Sequence, residues 1–242
     1  MLTIPKYLDN IQPISKSDVH LWLLHLDSSA YLLESHLSEN ELLKAKRFLD
    51  QKAKETFIIC RGTLRLLLSC YLQRDPKEIE LHYNSYGKPF IAPSQNKDGL
   101  NFNISHSQNM GAFAFSKDRI IGVDIEEINP TINIDELSSI IMNEIELEWF
   151  RTLQQSEKVH AFYHLWTQKE AILKAQGTGF QQPPNNFSGH LTSETVLRNM
   201  KVKNGILNSF LVKDSYSTCI CTDDAVDVHT IYLPSVASLN LT

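Results

Sequence analysis

The stretch Ile121-Gly122-Val123-Asp124-Ile125-Glu126 decides how the rest of the chain is read. Apolar side chains at 121, 123 and 125 alternate with Gly122, Asp124 and Glu126, which is the period of a half-buried strand. Side chains two apart on a strand share a face, so Asp124 and Glu126 stand side by side. Two carboxylates at that spacing repel each other unless a cation or a proton lies between them. A hard divalent ion such as Mg²⁺ suits the pair, because it binds through one or two carboxylates plus water and substrate phosphate. Taken without context, D-x-E describes equally well an edge strand whose polar face is in water.

A second stretch changes that balance. In Trp166-Thr167-Gln168-Lys169-Glu170-Ala171-Ile172-Leu173-Lys174, residues 166, 170 and 174 are spaced four apart and share one helix face. Glu170 and Lys174 could form an ordinary surface ion pair, worth about 0.2–0.5 kcal/mol. Trp166 and Leu173 flank the pair, however, which argues against a face left free in water. A third carboxylate would also complete an oxygen site begun by Asp124 and Glu126, with Lys174 one turn away and within reach of a bound phosphate.

Working outward, 242 residues allow one large domain or two small ones. A hydrophobic content of 42% and a charged content of 21% describe a soluble globular chain. The net charge of −5 argues against a general nucleic-acid binder. Met1 to Tyr7 lacks the basic and apolar regions of a signal peptide, and no apolar run approaches the ~18–20 residues that span a bilayer. A cytoplasmic protein with no membrane partner is the expectation. Cys60, Cys70, Cys219 and Cys221 fit no C-x-x-C pattern and read as core or strand thiols.

His20 to Leu26 reads as an early buried strand. Ser38-Glu39-Asn40-Glu41 has the form of a capping box, opening a helix that carries Leu42, Leu43, Ala45, Phe48 and Leu49. A second helix from about 53 to 71 turns Phe57, Ile58, Cys60, Leu64, Leu67 and Leu68 inward and Arg61 and Arg65 outward. Residues 41–65 hold seven Lys or Arg against three Asp or Glu, either a solvated face or a docking surface for an anion. Tyr86-Gly87-Lys88-Pro89-Phe90 is a turn with a cation at its tip. Strands are expected at 100–104 and 111–115, joined by the polar loop Ser105-His106-Ser107-Gln108-Asn109. An acidic helix over 133–153 precedes the helix 159–176, which Gly177 and Gly179 end. The last sixty residues read as strands, and a seam between two halves falls near 116–119.

Gly122 to Glu126 followed by Trp166 to Lys174 resembles the signature pair of the 4′-phosphopantetheinyl transferases, and in particular their long, monomeric, surfactin-synthetase-type branch. Tyr86-Gly87-Lys88-Pro89 and Phe102-Asn103-Ile104-Ser105-His106-Ser107 resemble two further motifs of that branch, and Leu37 to Phe48 resembles its N-terminal helix. The blocks stand in the expected order over about residues 20–190.

The resemblance implies an α+β fold of two similar α/β halves related by a pseudo-twofold, here 1–117 and 118–242. It implies transfer of the phosphopantetheine arm of coenzyme A to a serine of an apo acyl, polyketide or peptidyl carrier protein, with release of adenosine 3′,5′-bisphosphate. By position it makes Asp124, Glu126 and Glu170 the ligands of Mg²⁺, or of Mn²⁺ in its place. Lys174 would meet the reacting phosphate, and Glu170 or water on the metal would take the serine proton. Lys44, Lys88, Ser105 and His106 would hold the nucleotide and phosphates of coenzyme A. Glu41 and Thr56 stand where some members are basic, so Arg47 or Arg61 is expected to supply that charge. A catalytically idle coenzyme A or carrier-protein binding module is the alternative, against which the intact Asp124, Glu126, Glu170 and Lys174 speak. A serine hydrolase built on Ser105, His106 and Asp124 is disfavoured, because no G-x-S-x-G elbow is present.

Overall fold

The computed structural model describes residues 11–26, 30–178, 182–233 and 235; Gly179 and the N-terminal stretch 1–10 lie outside the described residues. Two four-stranded sheets, each carrying a 22-residue helix, make two α/β halves. In the first half, β1 (Asp18–His25), β4 (Leu100–Ser107) and β5 (Met110–Lys117) form antiparallel pairs in the order β1-β5-β4. A short hairpin, β2 (Leu81–Tyr83) and β3 (Pro89–Ile91), stands apart. In the second half, β6 (Ile121–Glu127), β9 (Tyr216–Thr222), β8 (Gly205–Val212) and β7 (Leu197–Val202) run in that spatial order. The last strand, β10 (Asp227–Leu233), leaves the second half and pairs in parallel with β1 at the edge of the first sheet.

Alternation on β1 welds the halves together. Trp22 and Leu24 face the first helical layer, while Val19, Leu21 and Leu23 face a cluster that includes Ile121, Val123 and Ile125 of β6. The opposite face of β6 carries Gly122 and Asp124. A Cβ built on Gly122 would stand 2.1 Å from the carbonyl oxygen of Ala171 and 2.4 Å from the amide nitrogen of Ala175. Only glycine therefore lets the helix α5 (Gln155–Gln176) lie directly on β6 here. β6 is an edge strand, yet its polar face is covered rather than in water.

Helix α1 (Glu39–Ala45) opens on the capping box read from Ser38 and Glu41. It ends at Ala45 and does not reach Leu49, which is exposed. Helix α2 (Gln51–Leu72) is capped by Asp50, which accepts from the Ala53 amide at 2.7 Å. Here the expected outward face of α2 is corrected. Arg61 and Arg65 are buried, because the buried Glu41 of α1 pairs with both. Arg65 also donates to the carbonyls of Pro76 and Ile79. A buried arginine is tolerable only when paired in this way.

Two more expectations change. The acidic stretch 133–153 is two helices, α3 (Ile134–Ile141) and α4 (Glu144–Thr152). Asn143 ends the run by capping a new helix, in a box with Glu146. Ser105, His106 and Ser107 lie within β4, leaving only Gln108-Asn109 as the turn. Polar side chains suggested a loop, but all three residues pair with β5, and Ser105 and Ser107 also bond to β6.

Candidate active site

β4 of the first half runs beside β6 of the second, and alternate residues of β4 stitch the seam. Asn103 Oδ1 accepts the Val123 amide at 2.8 Å. Ser105 Oγ donates to Asp124 Oδ1 at 2.9 Å, and Ser107 Oγ donates to Glu126 Oε2 at 2.7 Å. The residues between them, Ile104 and His106, face the other way, into a cavity of about 520 Å³. Ser105 and His106 thus stand on opposite sides of one strand, which removes the Ser-His relay a hydrolase needs.

Lys174 comes from the last turn of α5. Its ammonium donates to Asp124 Oδ1 at 2.6 Å and to Ser105 Oγ at 2.8 Å. It goes to the strand carboxylate rather than to Glu170 on its own helix. Asp124 is 2% exposed and Glu170 8%; Glu126 is half-buried.

Burial raises the pKa of Asp124, against the pull of Lys174 and Ser105. Burial, then repulsion from Asp124, pushes Glu126 up to about 7. The same two causes raise Glu170. Three carboxylates whose charge is disfavoured together form a site that gains by taking up a cation. Asp124 Oδ2 is buried with no hydrogen-bond partner, and every donor is oxygen, so the donor chemistry fits a hard divalent ion. The geometry is less complete. Among the described residues no three His, Cys, Asp or Glu side chains are gathered into metal-binding arrangement, and Lys174 occupies Asp124 Oδ1.

The cavity on the other face of β4 is basic. Lys44, Lys52, Arg61 and His106 line it together with Phe57 and Thr56. Lys44 Nζ lies 5.2 Å and the Arg61 guanidinium 5.9 Å from the centre of the Phe57 ring, and one buried Arg61 nitrogen, Nη1, has no hydrogen-bond partner. His106 opens to solvent at the rim, but the surrounding wall and the Lys174 charge hold its pKa below 6.5. Arg47 is exposed just after α1 and is not part of the cavity wall.

Lys88 is placed elsewhere. It donates to the carbonyls of Ile121 (2.9 Å), Lys174 (2.6 Å) and Ala175 (3.2 Å). A further lysine escaped the sequence reading. Lys169, beside Glu170, is fully buried, pairs with Glu146 at 2.6 Å and donates to the carbonyls of Ile141, Pro184 and Phe187. Its place on the apolar side of α5 was the available signal, since a lysine there needs a buried anion.

Known proteins resemble both halves. Residues 26–118 match the family model "4'-phosphopantetheinyl transferase, N-terminal", and residues 120–221 match "4'-phosphopantetheinyl transferase superfamily". The 4'-phosphopantetheinyl transferase HetI of Nostoc sp. is 38% identical over 165 residues, 67% of this chain and 70% of that protein. The 4'-phosphopantetheinyl transferase Sfp of Bacillus subtilis is 28% identical over 193 residues, 80% of this chain and 79% of that protein. A putative 4'-phosphopantetheinyl transferase of Synechocystis sp., slr0495, is 28% identical over 211 residues, 83% and 85% of the two chains. With both halves matched, and the carboxylates and Lys174 set against one seam, the chain belongs to the 4′-phosphopantetheinyl transferase superfamily, in its surfactin-synthetase-type branch.

Proposed function

We propose that this transferase moves the 4′-phosphopantetheine arm of coenzyme A to a serine of an apo carrier protein across the β4–β6 seam. The observation that carries this is the contact of Lys174 with Asp124 and Ser105 on one face of β4, with a basic cavity on the other face of the same strand, where His106 stands. Residues 1–117 supply the nucleotide and phosphate contacts: Lys44, Arg61 and His106 from the cavity wall, with Arg47 adding attraction from the exposed turn. Residues 118–242 supply Asp124, Glu126 and Glu170, which would hold Mg²⁺ or Mn²⁺, and Lys174. A bound divalent ion supplies charge neutralisation on the pyrophosphate.

The carrier serine oxygen bonds to the phosphorus on the pantetheine side as the bond from that phosphorus to the bridging oxygen breaks. Adenosine 3′,5′-bisphosphate leaves with the electron pair, and Glu170 takes the serine proton. Lys174 and Ser105 steady the phosphate oxygens where charge gathers, a positioning and electrostatic task rather than a covalent one. The same reading has the enzyme work as a cytoplasmic monomer, which light scattering at working concentration checks.

The test is incubation with coenzyme A, Mg²⁺ and a panel of apo acyl, polyketide and peptidyl carriers, followed by weighing each carrier. Conversion to the holo form with equal release of adenosine 3′,5′-bisphosphate is expected, and it should stop on chelation. Near-normal transfer by Asp124→Ala at ordinary Mg²⁺ would sink the assignment of the metal ligands.

A further inference from the structure

The ammonium of Lys88 lies where three segments of chain meet. It comes from the turn between β2 and β3 in the first half, and its three acceptors belong to the second. One acceptor, Ile121 O, opens the strand that carries Asp124 and Glu126. The other two, Lys174 O and Ala175 O, lie in the last turn of the helix that carries Glu170 and Lys174.

The last carbonyls of a helix have no partner within it. At the end of α5, the Leu173 carbonyl accepts from the Gly177 amide, with Gly177 in the left-handed region at φ +70°. The next two carbonyls are those that Lys88 takes. A cation at a helix C-terminus also opposes the negative end of the helix dipole.

The turn itself is held for this purpose. Asn84 Oδ1 accepts the amides of Tyr86 and Lys88, both at 2.9 Å, and Gly87 has φ +85°. Asn84 Nδ2 then donates to the Gly177 carbonyl at 2.8 Å. One five-residue turn therefore grips the end of α5 at three points, the carbonyls of Lys174, Ala175 and Gly177. Gly122, where β6 and α5 touch backbone to backbone, lies one residue from Ile121.

We infer that Lys88 is a positioning residue for catalysis, fixing the last turn of α5 against the start of β6 so that Lys174 reaches Asp124 and Ser105. The inference rests on the reading of Lys174 as a catalytic group. It differs from a direct contact between Lys88 and coenzyme A, because the ammonium's three donors already have acceptors. Burial draws its pKa down to about 8, the mark of a lysine withdrawn from water rather than one held out to a soluble anion.

Lys88→Met keeps the stem and removes the donors. The variant should lose about 10- to 100-fold in kcat, the scale of a small misplacement of a reacting group, with KM for coenzyme A within about twofold of the parent. Lys88→Arg should recover part of the loss, and Asn84→Ala should shift kcat in the same direction through the other grip of the turn. Asn84→Ala also keeps the test open if Lys88→Met fails to fold.

The decisive arm is a double-mutant cycle with Lys174→Met. Lys88→Met should add little once Lys174 is gone, because both remove the same interaction. Fully additive losses would overturn the inference, as would a lowered melting temperature at unchanged kcat. A raised KM together with lost discrimination between coenzyme A and its 3′-dephospho form would overturn it in favour of a phosphate contact. If Lys174→Met transfers normally, the catalytic reading of Lys174 fails by its own measurement, separately from the Lys88 arms.

Discussion

At the scale of single residues, Lys174 is the clearest case of a side chain whose local and long-range partners compete. Four residues after Glu170, it has an i,i+4 partner available, but it reaches across to a carboxylate on β6 at 2.6 Å. A helix-surface lysine could be lost for a few tenths of a kcal/mol. A charge preorganised against a reacting phosphate costs on the order of 10²–10³ in rate when removed. Lys174→Ala should therefore lower single-turnover transfer to a saturating apo carrier by that factor, with coenzyme A binding affected less. Lys174→Arg should rescue only in part, since a planar fork does not reproduce a compact ammonium. Normal single-turnover transfer by the alanine variant would make it a structural ion-pair partner. Asp124, Glu126, Glu170 and Lys174 were legible because each follows a local period, two on a strand and four on a helix. Arg61, Arg65 and Lys88 were not, for their partners lie on other elements: Glu41 on α1, and the backbone at the end of α5.

At the scale of elements, the packing of α5 on β6 depends on the missing side chain at Gly122. An added Cβ would meet backbone atoms of Ala171 and Ala175, which cannot rotate aside. Gly122→Ala should cost about 1–3 kcal/mol or more of stability as an overpacked contact, seen as a lowered urea midpoint. Transfer should fall too, because the shift separates Lys174 from Asp124. The same helix carries an acid-sensitive point. His164 is buried, its Nε2 has no hydrogen-bond partner, and burial, assisted by His190, lowers its pKa to about 4. Above pH 6.5 the ring is neutral folded or unfolded and adds no pH dependence. Between 6.5 and about 4 the unfolded chain binds a proton that the folded chain refuses, so stability falls as pH falls. The full effect is on the order of 3 kcal/mol, and His164→Phe should flatten this part of a stability profile measured by denaturant at successive pH values. An unchanged slope would show that other groups set it. Helices α2 and α5 were readable from apolar spacing and end signals. β4 was not readable to its end, because Ser105-His106-Ser107 has loop composition and is held as strand by β5 and by contacts to β6.

At the scale of the whole molecule, the first half is not complete in its own stretch of sequence. β10 follows the four strands of the second sheet and then covers β1 of the first, in register from Asp18–Asp227 to Leu24–Leu233. No short-range pattern announces such a crossing; the seam expected near 116–119 falls at the turn between β5 and β6. Truncation before Asp227 should expose the edge of β1, so hydrogen exchange should quicken in β1 and β5 while the β8–β9 core stays protected longer. Equal loss of protection in both sheets would mean that the shared cluster under Val19, Leu21 and Ile125 leaves the halves no separate stability. The parallel pairing also has a consequence in time. β1 is synthesised roughly two hundred residues before the strand that covers it, a long-range contact of the kind that slows folding. While the chain is on the ribosome, the first sheet has an open edge with Leu21, Trp22 and Leu23 beside it. An unpaired edge of that kind is a template for a neighbouring nascent chain. Newly made protein should therefore be most prone to aggregate, and most dependent on chaperones, in the interval between the emergence of β5 and that of β10.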